Sequence, residues 1–215
     1  MLLYPPGVHR TEGDTDLLVE AMQTGGFAVD REVLDIGTGS GALAIAAARA
    51  GAVAVTAVDL SLRSIAATWL NSRLQAAAVS VRRGDLFAPV GRRFDLVIAN
   101  PPYVPSATDV LPRHRQARCR DAGSDGRAVL DRICAEVGNV LTPEGNLLLL
   151  HSELCGTNRT LDALAAAGLH AQVLLRTTVP FGPVMRARAG MLESRGLIRP
   201  GQRLEELVVV EAHRA

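Results

Sequence analysis

Residues 32–36 form a short strand candidate that runs directly into Gly37-Thr38-Gly39-Ser40-Gly41. Ala42 to Ala50 then reads as a buried helix closed by Gly51. The same alternation continues down the chain. Val53 to Val58 is a β-branched strand ending at Asp59, and Ser61 can cap a helix reaching about Arg73. Val79 to Arg83 and Phe94 to Ala99 are the third and fourth strands, the latter stopped by Asn100-Pro101-Pro102-Tyr103 because proline cannot extend a ladder. Ser106 to Gly126 is polar and irregular. Ala128 to Leu141 is helical in period, and Pro143-Glu144-Gly145 is a turn. Asn146 to Leu150 is an apolar strand, and Thr160 to Ala167 is a helix closed by Gly168. Ala171 to Thr178 and Leu204 to Glu211 are two final strands. An amphipathic stretch, Asp16 to Thr24, precedes all of these and stops at Gly25-Gly26. Strands alternating with helices, several of them apolar throughout, imply an α/β fold: a mainly parallel sheet covered by helices on both faces.

Length and composition set the outer bounds. The 215 residues fit one domain, 1–215, with an insert at 180–201 between the last two strands. Hydrophobic residues make up 48% but aromatic ones only 3%, so the core must be mostly Leu, Val, Ile and Ala, with Trp69 part of it. A net charge of +1 argues against a general nucleic-acid or membrane-surface binder. Cys119, Cys134 and Cys155 are widely spaced with no Cys-x-x-Cys pair, which points to reduced thiols, no metal site and a cytoplasmic setting. Neither a signal peptide nor a transmembrane helix is expected. Within the insert, Met185 to Arg195 reads as an amphipathic helix with Arg186, Arg188 and Arg195 on the wet side.

The glycine turn alone is either a tight strand-to-helix connection or a ligand cradle. Its third glycine comes one residue earlier than in the dinucleotide fingerprint, which suits a nucleoside-methionine ligand better than a pyrophosphate. Asp59 follows roughly 20 residues later at a strand end, where a carboxylate can accept both ribose hydroxyls. The alternative is a carboxylate that interacts with the dipole of the next helix. Asp85, in Gly84-Asp85-Leu86-Phe87, can accept an adenine amino proton, with Leu86 or Phe87 against the ring. Asp35 is placed to hold a methionine ammonium, or is a solvated strand-end charge. These readings together imply S-adenosylmethionine.

Asn100-Pro101-Pro102-Tyr103 carries the chemistry. A planar NH2 is a poor nucleophile because its lone pair is delocalised. The Asn100 side-chain oxygen and the Pro101 carbonyl can grip both N–H groups in plane, aiming the lone pair at the methyl carbon and stabilising the charge that develops on nitrogen. Tyr103 can stack on the target. The alternative is a plain strand-ending turn. His151, Ser152 and Glu153 end the fifth strand near the site mouth, and His114 and His151 are possible proton acceptors.

At this point the chain resembles the HemK-type protein-glutamine methyltransferases. Val33 to Gly41 resembles their cofactor motif, and Asn100-Pro-Pro-Tyr-Val104 their catalytic motif. Asp14-Thr15-Asp16-Leu17-Leu18 is similar to the acidic-Thr segment that helps close the cofactor site. Ala122 to Arg132 is similar to a Gly-rich stretch of the short branch. The resemblance implies a seven-stranded class I methyltransferase fold and a cofactor site drawn from Thr15, Asp35, Gly37, Thr38, Gly39, Gly41, Asp59, Leu60, Asp85, Leu86 and Asn100. It implies a target amide at Asn100, in a protein such as a translation release factor. It also raises a small zinc-binding activator as a partner. The longer bacterial members carry an N-terminal helical domain that this sequence lacks, and the 180–201 insert is not a feature of either branch. An adenine amino group in RNA or DNA, a metabolite amine, and a non-catalytic cofactor-binding role remain alternatives. Arg113, His114, Arg115, Arg118 and Arg120, just after the motif, suit either an acidic or RNA-associated partner or a solvated loop.

Overall fold

The computed structural model describes residues 2–4, 8, 13–107 and 122–214. The arginine cluster at 113–120, His114 and Cys119 lie outside them. In chain order the elements are α1 (Gly13–Thr24), β1 (Glu32–Ile36), α2 (Ala42–Arg49), β2 (Ala54–Asp59), α3 (Leu62–Leu74), β3 (Val79–Arg83) and β4 (Phe94–Ala99). They continue with α4 (Leu130–Glu136), a 3-10 turn (Val137–Asn139), β5 (Leu141–Ser152), a second 3-10 turn (Glu153–Cys155), α5 (Thr157–Ala166), β6 (Leu169–Pro180), α6 (Pro183–Ser194) and β7 (Leu204–Arg214). The seven strands form one sheet in the order β3-β2-β1-β4-β5-β7-β6. All neighbours are parallel except β7, which runs antiparallel to both β5 and β6.

Strand alternation divides the core in two. Val97, Ala99, Leu147, Leu149, Val208 and Val210 pack on the face shared with Leu130, Ile133 and Leu164 of α4 and α5. Leu96, Ile98, Leu148, Leu150, Leu207 and Val209 pack on the other face, against Leu17, Leu18 and Leu43 of α1 and α2. The chain reverses its winding between β1 and β4, so the ends of β1, β2 and β4 open onto the crevice where such sheets take their ligands.

Several sequence expectations need correction. Helical period over 128–141 gives an α-helix only from Leu130 to Glu136; Gly138 tightens the chain into a 3-10 turn, and Leu141 already belongs to β5. Pro143-Glu144-Gly145 does bend the chain, but as an excursion inside β5: a step of two residues from Phe94 to Leu96 faces a step of five from Leu141 to Asn146. A Cβ at Gly145 would lie 2.9 Å from the Phe94 carbonyl, so this bend requires glycine. Trp69 is not core; it is 53% exposed on α3, beside Leu62, Leu70 and Leu74, which are also exposed. α3 lies toward the edge strand β3, and among the described residues these four side chains stay exposed on its outer side. The insert does form a helix, α6, but Arg188 is half-buried, and both Arg188 and Arg195 bond to backbone rather than only to water.

Candidate active site

The end of β1 places Asp35 fully inside the protein. Its Oδ2 accepts from the Thr38 hydroxyl at 2.6 Å and from the Ala44 N–H at 3.1 Å, while Oδ1 is buried without a partner. Burial pushes its carboxyl up to about 7. A buried acid with one free oxygen suits a cationic group, which would return it to the ionised form. The turn above it needs its glycines: Gly37, Gly39 and Gly41 all have positive φ (74°, 57° and 86°), and a Cβ on Gly41 would meet Thr68 Cγ2 at 2.9 Å. Gly37 and Gly39 have open space where a Cβ would stand, apart from one backbone oxygen 3.9 Å away. Thr38 is buried beneath the turn. Asp59, at the end of β2, accepts from the Gly39 N–H at 3.0 Å and the Ser61 N–H at 2.8 Å, and the Ser64 side chain bonds to it as well. Burial raises its pKa as well.

Asn100 leaves β4 on the α1 face of the sheet. Its Nδ2 donates to Asp14 Oδ2 at 3.1 Å and to Thr15 Oγ1 at 3.3 Å, both from the first turn of α1. A carboxylate can only accept, so the NH2 end of the amide must face Asp14 and Oδ1 lies on the opposite arm as an acceptor. Pro101 is buried, and Pro102 and Tyr103 are half-buried. Tyr103 packs against both core clusters. Its carbonyl is crowded by Gly126, whose φ is 78° and whose added Cβ would sit 2.3 Å from that oxygen.

The methyltransferase small domain family matches residues 7–115, just over half of the sequence. The chain belongs to that family. A Methanocaldococcus jannaschii protein assigned as a protein N5-glutamine methyltransferase is 32% identical over 187 residues, which are 87% of this chain and 93% of its own. The release factor glutamine methyltransferase of Deinococcus radiodurans is 40% identical over 148 residues, 66% of this chain but 52% of its own length. The chain therefore spans about half the length of that bacterial relative. The solved E. cuniculi Mtq2–Trm112 complex, responsible for methylation of the eRF1 termination factor, superposes with a TM-score of 0.67 at 21% identity over 97% of this chain and 99% of that one, a likeness of fold. With these relatives, this methyltransferase sits in the HemK-type group, and its sheet is that of the class I fold.

The structure brings Thr15, Asn100, Pro101 and Tyr103 to one place, and Asp35, Gly37, Thr38, Gly39, Gly41 and Asp59 to the adjoining turn. Leu60 is half-buried just beyond Asp59, its carbonyl taking a bond from Arg83 Nε at 3.4 Å. Asp85 stands apart: it lies past the end of β3, its side chain is 48% exposed, and Arg132 of α4 pairs with it at 3.1 Å. Of the two apolar neighbours, Phe87 is buried in the core, leaving Leu86 half-buried with a φ of 46°. His151 is fully buried; its Nδ1 lies 2.9 Å from the Ser152 carbonyl and so carries the proton, Nε2 has no partner, and burial lowers its pKa. Among the described residues no group of three or more His, Cys, Asp or Glu is placed to hold a metal, and no helix is long and apolar enough to cross a membrane.

In the sequence Asp14 stands only as part of the segment similar to one that closes the cofactor site; in the structure it accepts from Asn100 and orients it. One residue of the site, Glu205, gave no sequence signal. It opens β7 on the same face as Leu207, and is 5% exposed, with Oε2 unpartnered. Burial, with the charge of Asp14 adding to it, raises its carboxyl to about 7 despite a hydrogen bond with Ser152. A carboxyl raised this way binds its proton more tightly folded than unfolded. It therefore costs nothing below about pH 4.5 and destabilises progressively as pH rises through 7. Glu205→Gln is expected to raise the unfolding free energy by up to ~3 kcal/mol at pH 8. The gain should vanish at pH 4.5, as read by chemical denaturation at both values.

Proposed function

We propose that this methyltransferase transfers a methyl group from S-adenosylmethionine to the side-chain amide nitrogen of a glutamine, in a protein such as a translation release factor. The observation that carries this reading is the orientation of Asn100 at the end of β4: its NH2 is held by Asp14 and Thr15, which leaves its side-chain oxygen as an acceptor one residue before the Pro101 carbonyl. A target needing two in-plane acceptors is a planar NH2. The names of the relatives in M. jannaschii and D. radiodurans favour a glutamine over an adenine.

The cofactor would sit over the glycine turn, its ammonium at Asp35 Oδ1 and its ribose at Asp59. When bound it supplies an electrophilic methyl group on a sulfonium sulfur. Asn100 Oδ1 and the Pro101 carbonyl hold the two amide hydrogens and orient the nitrogen lone pair. The proline lacks an N–H, and Pro102 after it restricts its ψ and so the direction of that carbonyl. Tyr103 closes the target side. Asp59→Ala removes charged acceptors for the ribose and should weaken cofactor binding ~10- to 100-fold by calorimetry; unaltered affinity refutes the ribose assignment.

The same proposal takes residues 1–215 as one catalytic domain working in the cytoplasm, where Cys134 and Cys155 stay reduced. A small second subunit would cover Leu62, Trp69, Leu70 and Leu74 on α3, beside edge strand β3. Stimulation of methyl transfer by a co-purified small chain, lost in Trp69→Glu, is the check on that part.

The test of the whole is methyl transfer from labelled cofactor to a purified release factor, read by mass spectrometry of the peptide carrying its Gly-Gly-Gln. Methylation of the glutamine is expected. Cofactor binding with no transfer would overturn the acceptor assignment and move it to another protein, a nucleic acid or a metabolite.

A further inference from the structure

After Pro101-Pro102 the chain leaves the sheet, so the next carbonyls must find partners outside any ladder. Side chains meet them one by one. The Tyr103 carbonyl takes the Cys155 thiol at 3.2 Å. The Val104 and Pro105 carbonyls both take Arg188 Nη1, at 3.0 and 2.8 Å. The Ser106 carbonyl takes Arg195 Nη1 at 3.0 Å, and the Ser106 N–H donates to the Gly123 carbonyl at 2.8 Å. Arg188 lies on α6 and Arg195 directly after it. The insert also carries its own apolar cluster of Phe181, Met185, Ala189, Leu192 and Ile198, against which Val104 and Leu154 pack. Two arginines and an apolar cluster from one insert therefore converge on the three residues that follow the catalytic tetrapeptide.

We infer that the insert is a clamp on the catalytic motif and that Arg188 is a positioning residue, holding Asn100 to Tyr103 in place through the Val104 and Pro105 carbonyls. This rests on the assignment of Asn100 and Pro101 as the acceptors for the target nitrogen. Three of the residues between Asn100 and Ser106 are prolines with fixed φ, so a shift at Val104 is passed back along a stiff segment instead of being absorbed. A displacement of about 1 Å at the acceptors can cost ~100-fold in rate. One guanidinium nitrogen bonds both carbonyls, so a lysine ammonium can replace it in part, but from a more flexible stem.

Arg188→Met keeps an apolar stem and removes the donor; Arg188→Lys restores a cation; Arg186→Met, on the exposed side of α6, is the control. In Arg188→Met the Ser106 amide is expected to exchange hydrogen at least ~10 times faster. On the release factor, kcat should fall ~10- to 100-fold, with the acceptor KM and the cofactor Kd within about twofold. Arg188→Lys should recover most of both losses and Arg186→Met should show neither. Unchanged Ser106 exchange in Arg188→Met overturns the clamp. Faster exchange with unchanged kcat overturns the positioning role. Exchange is read without any acceptor, so it decides the clamp even if wild-type protein fails to methylate the release factor, a result that would count against the acceptor assignment alone.

Discussion

Asn100→Ala is expected to lower methyl transfer ~10²- to 10³-fold while leaving the cofactor Kd within about twofold, the scale seen when one charge-stabilising hydrogen-bonding group is removed from a preorganised site. The reason lies in what Asn100 touches. Its NH2 is spent on Asp14 and Thr15, and its oxygen is the group left for a target. The glycine turn, Asp35 and Asp59 make their bonds to one another, to backbone and to α3 side chains, and none to the Asn100 side chain, so they survive the change. Asn100→Asp is the sharper variant. It matches the size of Asn100 but places a second carboxylate about 3 Å from Asp14, where like charges oppose each other. It should therefore lose both turnover and some stability, whereas Asn100→Ala loses turnover alone. Labelled-methyl transfer and calorimetry on the two variants separate these effects, and full turnover in Asn100→Ala would remove the motif from the mechanism.

The parts legible in the sequence are those where one local cause dominates. Strands β1, β2 and β4 are short β-branched or apolar runs stopped by Gly37, Asp59 and the proline pair, and each boundary fell within a residue or so of its expected place. Ser61 was readable as a cap, and its side chain does accept from the Ser64 N–H. What escaped notice depends on residues far apart in sequence. Trp69 is expected in the core as a large aromatic residue, yet α3 lies toward the sheet edge, and no sequence period reports that its outer side is exposed. Arginine on a helix reads as solvated; Arg188 is half-buried instead, because it donates to backbone carbonyls 83 and 84 residues away. Glu205 looks like one more acid in Leu204-Glu205-Glu206, and only strand register shows that it faces inward with Leu207 while Glu206 pairs with Arg176 on the surface.

Arg127 carries the largest expected effect on stability. It is 1% exposed, and its Nη1 donates to the Cys155 carbonyl at 2.6 Å, the Gly156 carbonyl at 3.3 Å and the Thr160 hydroxyl at 3.0 Å. Nε and Nη2 both reach Asp131 Oδ1, at 2.9 and 2.7 Å. The ion pair is the weaker half of this arrangement, since the Asp131 side chain is 52% exposed and water can replace its partner. The carbonyls have no such substitute. Arg127→Met fills much of the volume but strands two or three buried acceptors, each costing about 1–3 kcal/mol. A loss of ~3–5 kcal/mol is expected, a large part of the ~5–15 kcal/mol that holds a typical domain together. The melting temperature should fall by roughly 10 °C or more. Asp131→Ala should cost less than Arg127→Met, because Asp131 is half-exposed and water can reach the place it leaves. If thermal denaturation gave the two variants equal losses, the stability would reside in the ion pair and the reading of the carbonyls would be wrong. The loss should extend to methyl transfer if the proposed site is correct, because Cys155, whose carbonyl Arg127 holds, donates its thiol to the Tyr103 carbonyl at the end of the proposed catalytic motif.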